Sequence, residues 1–570
     1  MKNKRKGIKR SNITQLALGI AIIVFINVIG AYLFTRFDLT SEKRYSLSPA
    51  TKKLLKNLDD IVLFKIYLDG DIPAGFKKLR NETKEMLNEF RAYTDNIQYE
   101  FIDPSEGKDK KSLQDFYEQL MQKGIVPTNI QVQEKGGAKQ QIIFPAALVT
   151  YKEKEMPLQL LMTQYGLAPE AQINSSIQAL EYNLANTIRK LTIVRKPKIA
   201  FIEGQGELDK YETASISYAL SDYYSVDRVK INHQIKALKD FKLIIIAKPD
   251  SAFDEKDKFV IDQFIMKGGK VLWLIDPVFA SMDSLRTGTD ETIGIGNELN
   301  LDDQLFSYGV RYNYDLLLDL SAMQIPVKTG SIGNQPQYGF MPWYFFPLIN
   351  PVIKHPINNN LNLIKTEFVS SLDTLKTRWV KKTILLTTSQ HTKRMKTPAV
   401  ISLNIMKQQP DEQEYNKSFL PIGVLLEGEF KSVFVNRIPP EIANDPEIGF
   451  KDKSGQNKMI IITDGDIIKN QVKYSSGINY PYELGYDKYT KETFGNKEFI
   501  LNCIDYLCDE TGLISVRSRE LKIRLLDKTK ITDSKLKWQL INTTIPIVII
   551  ILFGIGRSIT RKRKYTFVKK

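Results

Sequence analysis

Residues 241–250 read FKLIIIAKPD, in which the apolar run 243–247 is closed by a lysine, a proline and an acid. A strand that is apolar at every position must be covered on both faces, as in a parallel sheet flanked by helices. KIAFIEG (198–204) and KVLWLIDP (270–277) have the same form, and SVDRVKI (225–231) reads as a further strand. Between them lie helical spacings, with Ile216, Leu220 and Tyr223 in 211–224. A second helix, 254–267, carries Val260, Ile261, Phe264 and Ile265 and stops at Gly268-Gly269. The alternation predicts an α/β domain with a parallel sheet. Strands return at KTILLTT (382–388), GVLLEGEF (423–430) and KMIIITD (458–464). A helix bearing Phe499, Ile500, Cys503, Ile504 and Leu507 closes the domain before Gly512. GNELNLDDQLFSYGV (296–310) reads as helix and YDLLLDL (314–320) as strand, whereas 326–362 is rich in Gly, Pro and Asn and includes an aromatic cluster, YGFMPWYFFPL (338–348).

Upstream, Ser48-Pro49 caps a helix carrying Leu54, Leu55 and Leu58. A strand, IVLFKIY (61–67), precedes a helix with Leu79, Thr83, Met86, Leu87 and Phe90 on one face, and IQYEFID (97–103) comes next as a second strand. NIQVQ (129–133) and IIFPAALVTY (142–151) form a hairpin-like pair across Lys135-Gly136-Gly137. This order of elements predicts a thioredoxin-like domain, and without a C-x-x-C pair it is a binding or scaffolding unit. A long helix over 169–193, with Ile173, Ile177, Leu180, Leu184, Ile188 and Leu191 as its stripe, joins the two domains.

The chain has 570 residues and a formal net charge of +16, a balance that invites a nucleic-acid reading. Residues 1–10 carry +6 and residues 557–570 carry +7, so the rest holds only +3. A protein that tracks phosphates needs its basic excess on a folded face, and nucleic acid is therefore excluded as a partner. The basic tips instead adjoin two apolar stretches. Ser11 to Thr35 contains no charge, and 19 uncharged residues lie between Lys537 and Arg557. At about 1.5 Å per residue each is long enough for a hydrocarbon layer of roughly 30 Å. A cleaved signal peptide competes for the first, but its apolar run exceeds the usual h-region and no small-x-small site precedes Arg36. The positive-inside rule puts both tips in the cytoplasm and the middle outside. The expected organisation is a basic tip (1–10), a transmembrane helix (11–35), a thioredoxin-like periplasmic domain (36–165) and a connecting helix (166–194). An α/β periplasmic domain (195–530), a second transmembrane helix (537–556) and a basic tail (557–570) complete it.

Motifs for catalysis are missing. No G-x-x-x-x-G-K-[ST], H-E-x-x-H or G-x-S-x-G occurs, and His233, His355 and His391 lie far apart. Cys503 and Cys508 are five residues apart on a helix, pointing about 140° away from each other, which suits neither a mutual disulfide nor zinc. No catalytic residue, metal or cofactor is expected. Two binding candidates stand out. Glu203, Gly204, Gln205, Gly206 and Glu207 come directly after the first strand of the α/β domain, where open parallel sheets bind ligands. Their glycines would let backbone approach a ligand, and their carboxylates would accept sugar hydroxyls. The plainer reading is a tight turn whose glycines only solve geometry. Trp343, Tyr344, Phe345 and Phe346, if exposed, would stack on sugar rings or dock a partner subunit; otherwise they plug their own core.

Three stretches carry a resemblance over essentially the whole chain: FDLTSEKRYSLS (37–48), FIEGQGELDKYE (201–212) and FGNKEFILNCIDYLCDETGLISVRSRELKIRLLD (494–527). With the two-anchor layout they resemble the gliding-motility-associated auxiliary protein (GldG) family of an ABC transporter complex. The resemblance implies a separate permease and a separate ATPase as partners. It also implies a glutamine-amidotransferase-like (flavodoxin-like) α/β domain, akin to one in an intraflagellar-transport protein; Gln205 stands where related domains often read histidine. The expected function is a non-enzymatic, membrane-anchored accessory or substrate-binding subunit in the bacterial inner membrane, serving gliding motility or cell-surface export. A glycan or another envelope protein would be a further partner. A stand-alone envelope carbohydrate-binding protein is the alternative.

Overall fold

The computed structural model describes residues 2–32, 46–107, 109–134, 137–162, 167–286, 290–333, 335–475, 478–518 and 528–566. Its largest sheet has seven strands in the order Val380–Thr387, Pro421–Lys431, Lys453–Ile462, Lys270–Leu274, Leu243–Ala247, Lys198–Glu203 and Ser225–Lys230. The last five run parallel, and the first two add antiparallel at one side. The apolar run at 243–247 is explained by its surroundings. Leu243, Ile245 and Ala247 join one core with Phe499, Ile500 and Cys503 of the helix Asn496–Cys508. Ile244 and Ile246 join the opposite core with Val260, Ile261 and Ile265 of the helix Glu255–Met266. Alternate side chains point to opposite faces, so both faces are dry.

The first sheet has four strands, ordered Ile97–Phe101, Val62–Ile66, Ala146–Tyr151 and Lys154–Gln159. Its first pair is parallel and the other two pairings are antiparallel. The expected hairpin at 129–151 is divided. Thr128–Glu134 pairs with Gly137–Ile143 in a ribbon of its own, and the chain then breaks at Phe144-Pro145 before entering the main sheet. Pro145 lacks the N–H that a continuous strand would need there. Lys110–Gln122 is helical and Lys154–Gln159 is a strand, neither of which the periodicity indicated. The expected cap at Ser48 is present: its hydroxyl accepts the Thr51 N–H at 3.0 Å.

The stretch rich in Gly, Pro and Asn holds most of a long hairpin, Ala322–Ile332 paired with Gln335–Ile349. Pro326, Pro342 and Pro347 disguise it, and its register shifts between Ala322 and Gln324, on the stretch opposite Pro342 to Pro347, and again between Lys328 and Gly330. The expected helix at 296–310 shrinks to Asp302–Tyr308, ended by Gly309 in the left-handed conformation.

The connecting helix is Pro169–Thr192. Ile173, Ile177, Leu180, Leu184, Ile188 and Leu191 all lie in the core of the first sheet. Arg189 Nη2 donates to Asp505 Oδ1 at 3.2 Å, and Tyr224 Oη donates to the same oxygen at 3.1 Å. Helix 169–192 is thereby tied to the helix that closes the α/β domain.

The C-terminal helix, Lys528–Thr566, is a unit of its own. Its segment Ser534–Arg563 is the one helix among the described residues long and apolar enough to cross a membrane by length and composition. The N-terminal helix Lys2–Tyr32 has a shorter apolar run, Ile13–Val28, so the expected span at 11–35 is only partly realised; residues 33–35 lie outside the described residues. Side chains such as Phe25 and Ile26 on the first helix, and Ile550 and Phe553 on the second, are exposed.

Replacing Asp505 with Ala strands Arg189 in a largely buried position. The Asp505→Ala chain is expected to lose about 3–5 kcal/mol of unfolding free energy in a denaturant titration; a loss within the scatter of surface substitutions would show that the tie is dispensable.

Candidate functional site

Four strands of the seven-stranded sheet, ending at Glu203, Ala247, Leu274 and Ile462, run parallel and so bring their C-terminal turns to one edge. Apolar residues stop where the covering helices stop, and charge begins at once: Glu203, Lys248, Asp276, Asp464 and Asp466. Ligands of open parallel sheets bind beyond this edge.

At its centre Lys248 adopts a left-handed backbone conformation, φ 56°, uncommon for a side chain of its size. Its ammonium lies 3.1 Å from Asp276 Oδ2 and also donates to Asp466. Gly465 makes the approach feasible, since a Cβ there would lie 2.6 Å from Lys248 Cβ. Asp276 Oδ1 accepts the Gly465 N–H at 2.5 Å. Asp464, fully buried, accepts the Asp466 N–H at 2.9 Å and the Glu367 N–H at 3.2 Å.

The three carboxylates come within 4.8 Å of one another, a grouping able to hold a cation. Lys248 supplies positive charge to two of them. Burial pushes the Asp464 carboxyl well up, and Asp276 and Asp466 push it further. Burial also raises Asp276, against the pull of Lys248. Burial opposes ionisation of Asp466, but Lys248 and Lys469 override it and hold its carboxyl below the usual range. Burial likewise works against the charged form of Lys248, yet Asp276 and Asp466 prevail and keep it protonated far above the ordinary lysine range.

Lys248 and Asp466 also line a cavity of about 1020 Å³. Lys469 adds further charge from the segment after Ile462, Lys365 and Glu367 from the short strand Ile364–Lys365 and the residues after it, and Asp487 from the loop before the helix Asn496–Cys508. The opposite lining comes from the long hairpin, through Met323, Ile325, Val327 and Met341, and from the short helices Met282–Arg286 and Leu403–Lys407.

Of the residues singled out from sequence, Phe346 alone lines this cavity. None of Glu203, Gly204, Gln205, Gly206 and Glu207 lines the cavity. The turn largely satisfies itself. Glu203 accepts Arg228 Nε at 2.5 Å, and Glu207 Oε2 accepts the Gln205 N–H at 2.8 Å. The Gln205 carbonyl accepts the N–H groups of Asp250 and Ser251, at 2.9 and 3.1 Å. Gly206, at φ +73°, is required on two counts, since a Cβ there would lie 1.7 Å from an Asp250 carboxylate oxygen. Gln205 Nε2 donates to Asp257 at 3.3 Å, beside His233, whose Nδ1 is 3.2 Å from Asp254 and 3.5 Å from Asp257. Glu207 Oε1 and Gln205 Oε1 are buried without a hydrogen-bond partner among the described residues, and burial raises the Glu207 carboxyl.

The aromatic run takes the second of its two readings and plugs its own core. Trp343, Tyr344, Phe345 and Phe346 are all buried, Trp343 completely, in a core shared with Phe368 and Tyr415. A sugar could not stack on them without unpacking that core, although an edge of Phe346 reaches the cavity. The residues that sequence reasoning passed over are Lys248, Asp276, Asp464 and Asp466. Their signal was available: a charge immediately after each apolar strand, in LIIIAKPD, VLWLIDP and MIIITDGD.

A family model described as an ABC-type uncharacterized transport system matches residues 196–503, more than half of the chain and the whole cavity lining. A second, described as a domain of unknown function, matches residues 41–150. An uncharacterized protein of Borreliella burgdorferi is 25% identical over 579 residues, covering 99% of this chain and 100% of that one. Among solved structures, the mmIFT52 N-terminal domain is 14% identical, covers 54% of this chain and 96% of its own, and gives a TM-score of 0.30, too low to equate the folds.

The charge arrangement has a pH signature. Lys248 is raised, so its contribution holds below the unfolded lysine value and is lost as pH rises through the folded one. Asp466 is lowered, so its contribution holds above the unfolded aspartate value and is lost as pH falls through the folded one. The pair therefore stabilises fully between about pH 5 and pH 10. Lys248→Met is expected to cost about 3–5 kcal/mol at pH 7 by leaving buried carboxylates unpaired, and the cost should shrink toward pH 4 as they protonate. A cost that does not change with pH, tracked by denaturation across that range, would contradict this.

Proposed function

The chain belongs to the family described as an ABC-type uncharacterized transport system, and we propose that it serves such a system as a membrane-anchored, non-enzymatic accessory subunit. The observation that carries the reading is the match over residues 196–503, which contains the sheet edge and every residue lining the cavity. The chain has no P-loop motif, so ATP-driven work falls to a separate ATPase, and a permease supplies the path.

Ser534–Arg563 is the stronger anchor and the apolar run Ile13–Val28 the second. Their basic flanks favour both tips in the cytoplasm of a bacterial cell and the domains on the outer side of the inner membrane. The exposed apolar rows of these helices need lipid or a permease as cover. The first sheet, with one parallel and two antiparallel pairings, supports a thioredoxin-like reading. The five parallel strands of the larger sheet support an amidotransferase-like one. Gliding motility or cell-surface export is the process that the resemblance of residues 37–48 and 494–527 favours.

Affinity purification from host membranes in mild detergent is expected to recover an ABC ATPase and a permease with the chain, in fixed ratio. Recovery of the chain without either would defeat the proposal.

A further inference from the structure

The cavity at the sheet edge has two kinds of wall, and their chemistry specifies a ligand. Its volume of about 1020 Å³ is at the upper end of the roughly 300–1,000 Å³ typical of small-molecule sites. Four of the chain's 12 methionines line it: Met282, Met323, Met341 and Met406. On the long hairpin, Met323, Ile325 and Val327 alternate along one strand, and Ile325 pairs across to Met341. Unbranched, polarisable thioethers make a wall that adapts to flexible apolar chains and does not select a rigid shape.

The charged wall is built of neutralised pairs. Lys248 faces Asp276 and Asp466, Lys365 lies 2.9 Å from Glu367 and 3.6 Å from Asp487, and Lys469 lies 3.0 Å from Glu212. An anion would find Lys248, Lys365 and Lys469 each already shared with a carboxylate, and a cation would find Asp466, Glu367 and Asp487 each shared with an ammonium. Elsewhere in the lining Lys328, Lys407 and Lys488 stand with Asp283 and Asp290, so that both signs face the cavity. Paired charges at a partly desolvated edge complement a group that itself carries both signs. Glutamine-and-glycine turn chemistry plays no part, because residues 203–207 do not reach the cavity.

From these two walls we infer that the cavity binds a single-chain amphiphile with a zwitterionic head group, its chain along the methionine wall and its head against the lysine–carboxylate pairs. The inference concerns the cavity alone; it survives if no transporter subunit copurifies, and copurification does not establish it.

The test uses the full chain in lipid nanodiscs and a lysophosphatidylcholine carrying a diazirine on its acyl chain, with the crosslinked peptides mapped by mass spectrometry. Labels are expected on peptides containing Met323, Met341 or Met406 and also on Ser534–Arg563, which reports contact with the bilayer. Met341→Trp should fill the apolar side and reduce cavity labelling about tenfold, equivalent to roughly 1.4 kcal/mol, with labelling of the C-terminal helix unchanged. Met406→Trp serves the same purpose from a different element if the first variant does not fold. A diazirine alkane without a head group should label the cavity less. Labels confined to the helices Lys2–Tyr32 and Lys528–Thr566 would overturn the inference, as would cavity labelling that neither substitution lowers or that the alkane equals.

Discussion

The ammonium of Lys248, held between Asp276 and Asp466, is the contact on which the architecture of the sheet edge turns. The three residues sit just past the ends of three neighbouring strands and are brought together only when those strands pair in register. Without the lysine, two carboxylates would face the fully buried Asp464 across a few ångströms, a cost that burial makes severe. With it, the edge of an apolar sheet can end in charge and still pack. Gly465 and the left-handed backbone of Lys248 are the local concessions that bring the groups together.

The layer above that edge depends on it. The turn after Ile462 places Asp466 and Lys469 beside the cavity, and the Asp464 carboxylate fastens the Glu367 backbone over the same edge. Lys365 and Phe368, flanking Glu367, then line the same space. The long hairpin and its buried aromatics form a second layer whose inward methionines complete the enclosure. A parallel sheet with charged strand ends, roofed by an apolar hairpin, produces a cavity with unlike walls. The family model that covers this cavity is described as an ABC-type uncharacterized transport system.

Much of the sheet was legible because its pattern is local. LIIIA, VLWL and IAFI announce strands covered on both faces, and Val260, Ile261, Phe264 and Ile265 mark the helix that covers one of them. The hairpin at 322–349 was not legible, because its prolines and glycines imitate a loop while its pairing comes from the partner strand. For the same reason Trp343–Phe346 could be read as an exposed patch: an apolar run does not say which layer will cover it. The turn at 203–207 lies at the sheet edge, where Arg228 engages Glu203 and the Asp250 and Ser251 N–H groups engage the Gln205 carbonyl, while Gln205 Oε1 and Glu207 Oε1 have no hydrogen-bond partner among the described residues. The Lys248–Asp466 contact joins residues 218 apart, and only the topology brings them together.

A ligand is expected at the edge marked by Lys248. Cryo-electron microscopy of the full chain, taken directly from host membranes into nanodiscs without added detergent, addresses this most directly. Elongated non-protein density is expected between Met323 and Met341 on one side and the lysine–carboxylate pairs on the other. A cavity filled only by water, with ligand density at the 203–207 turn or nowhere on the α/β domain, would contradict it.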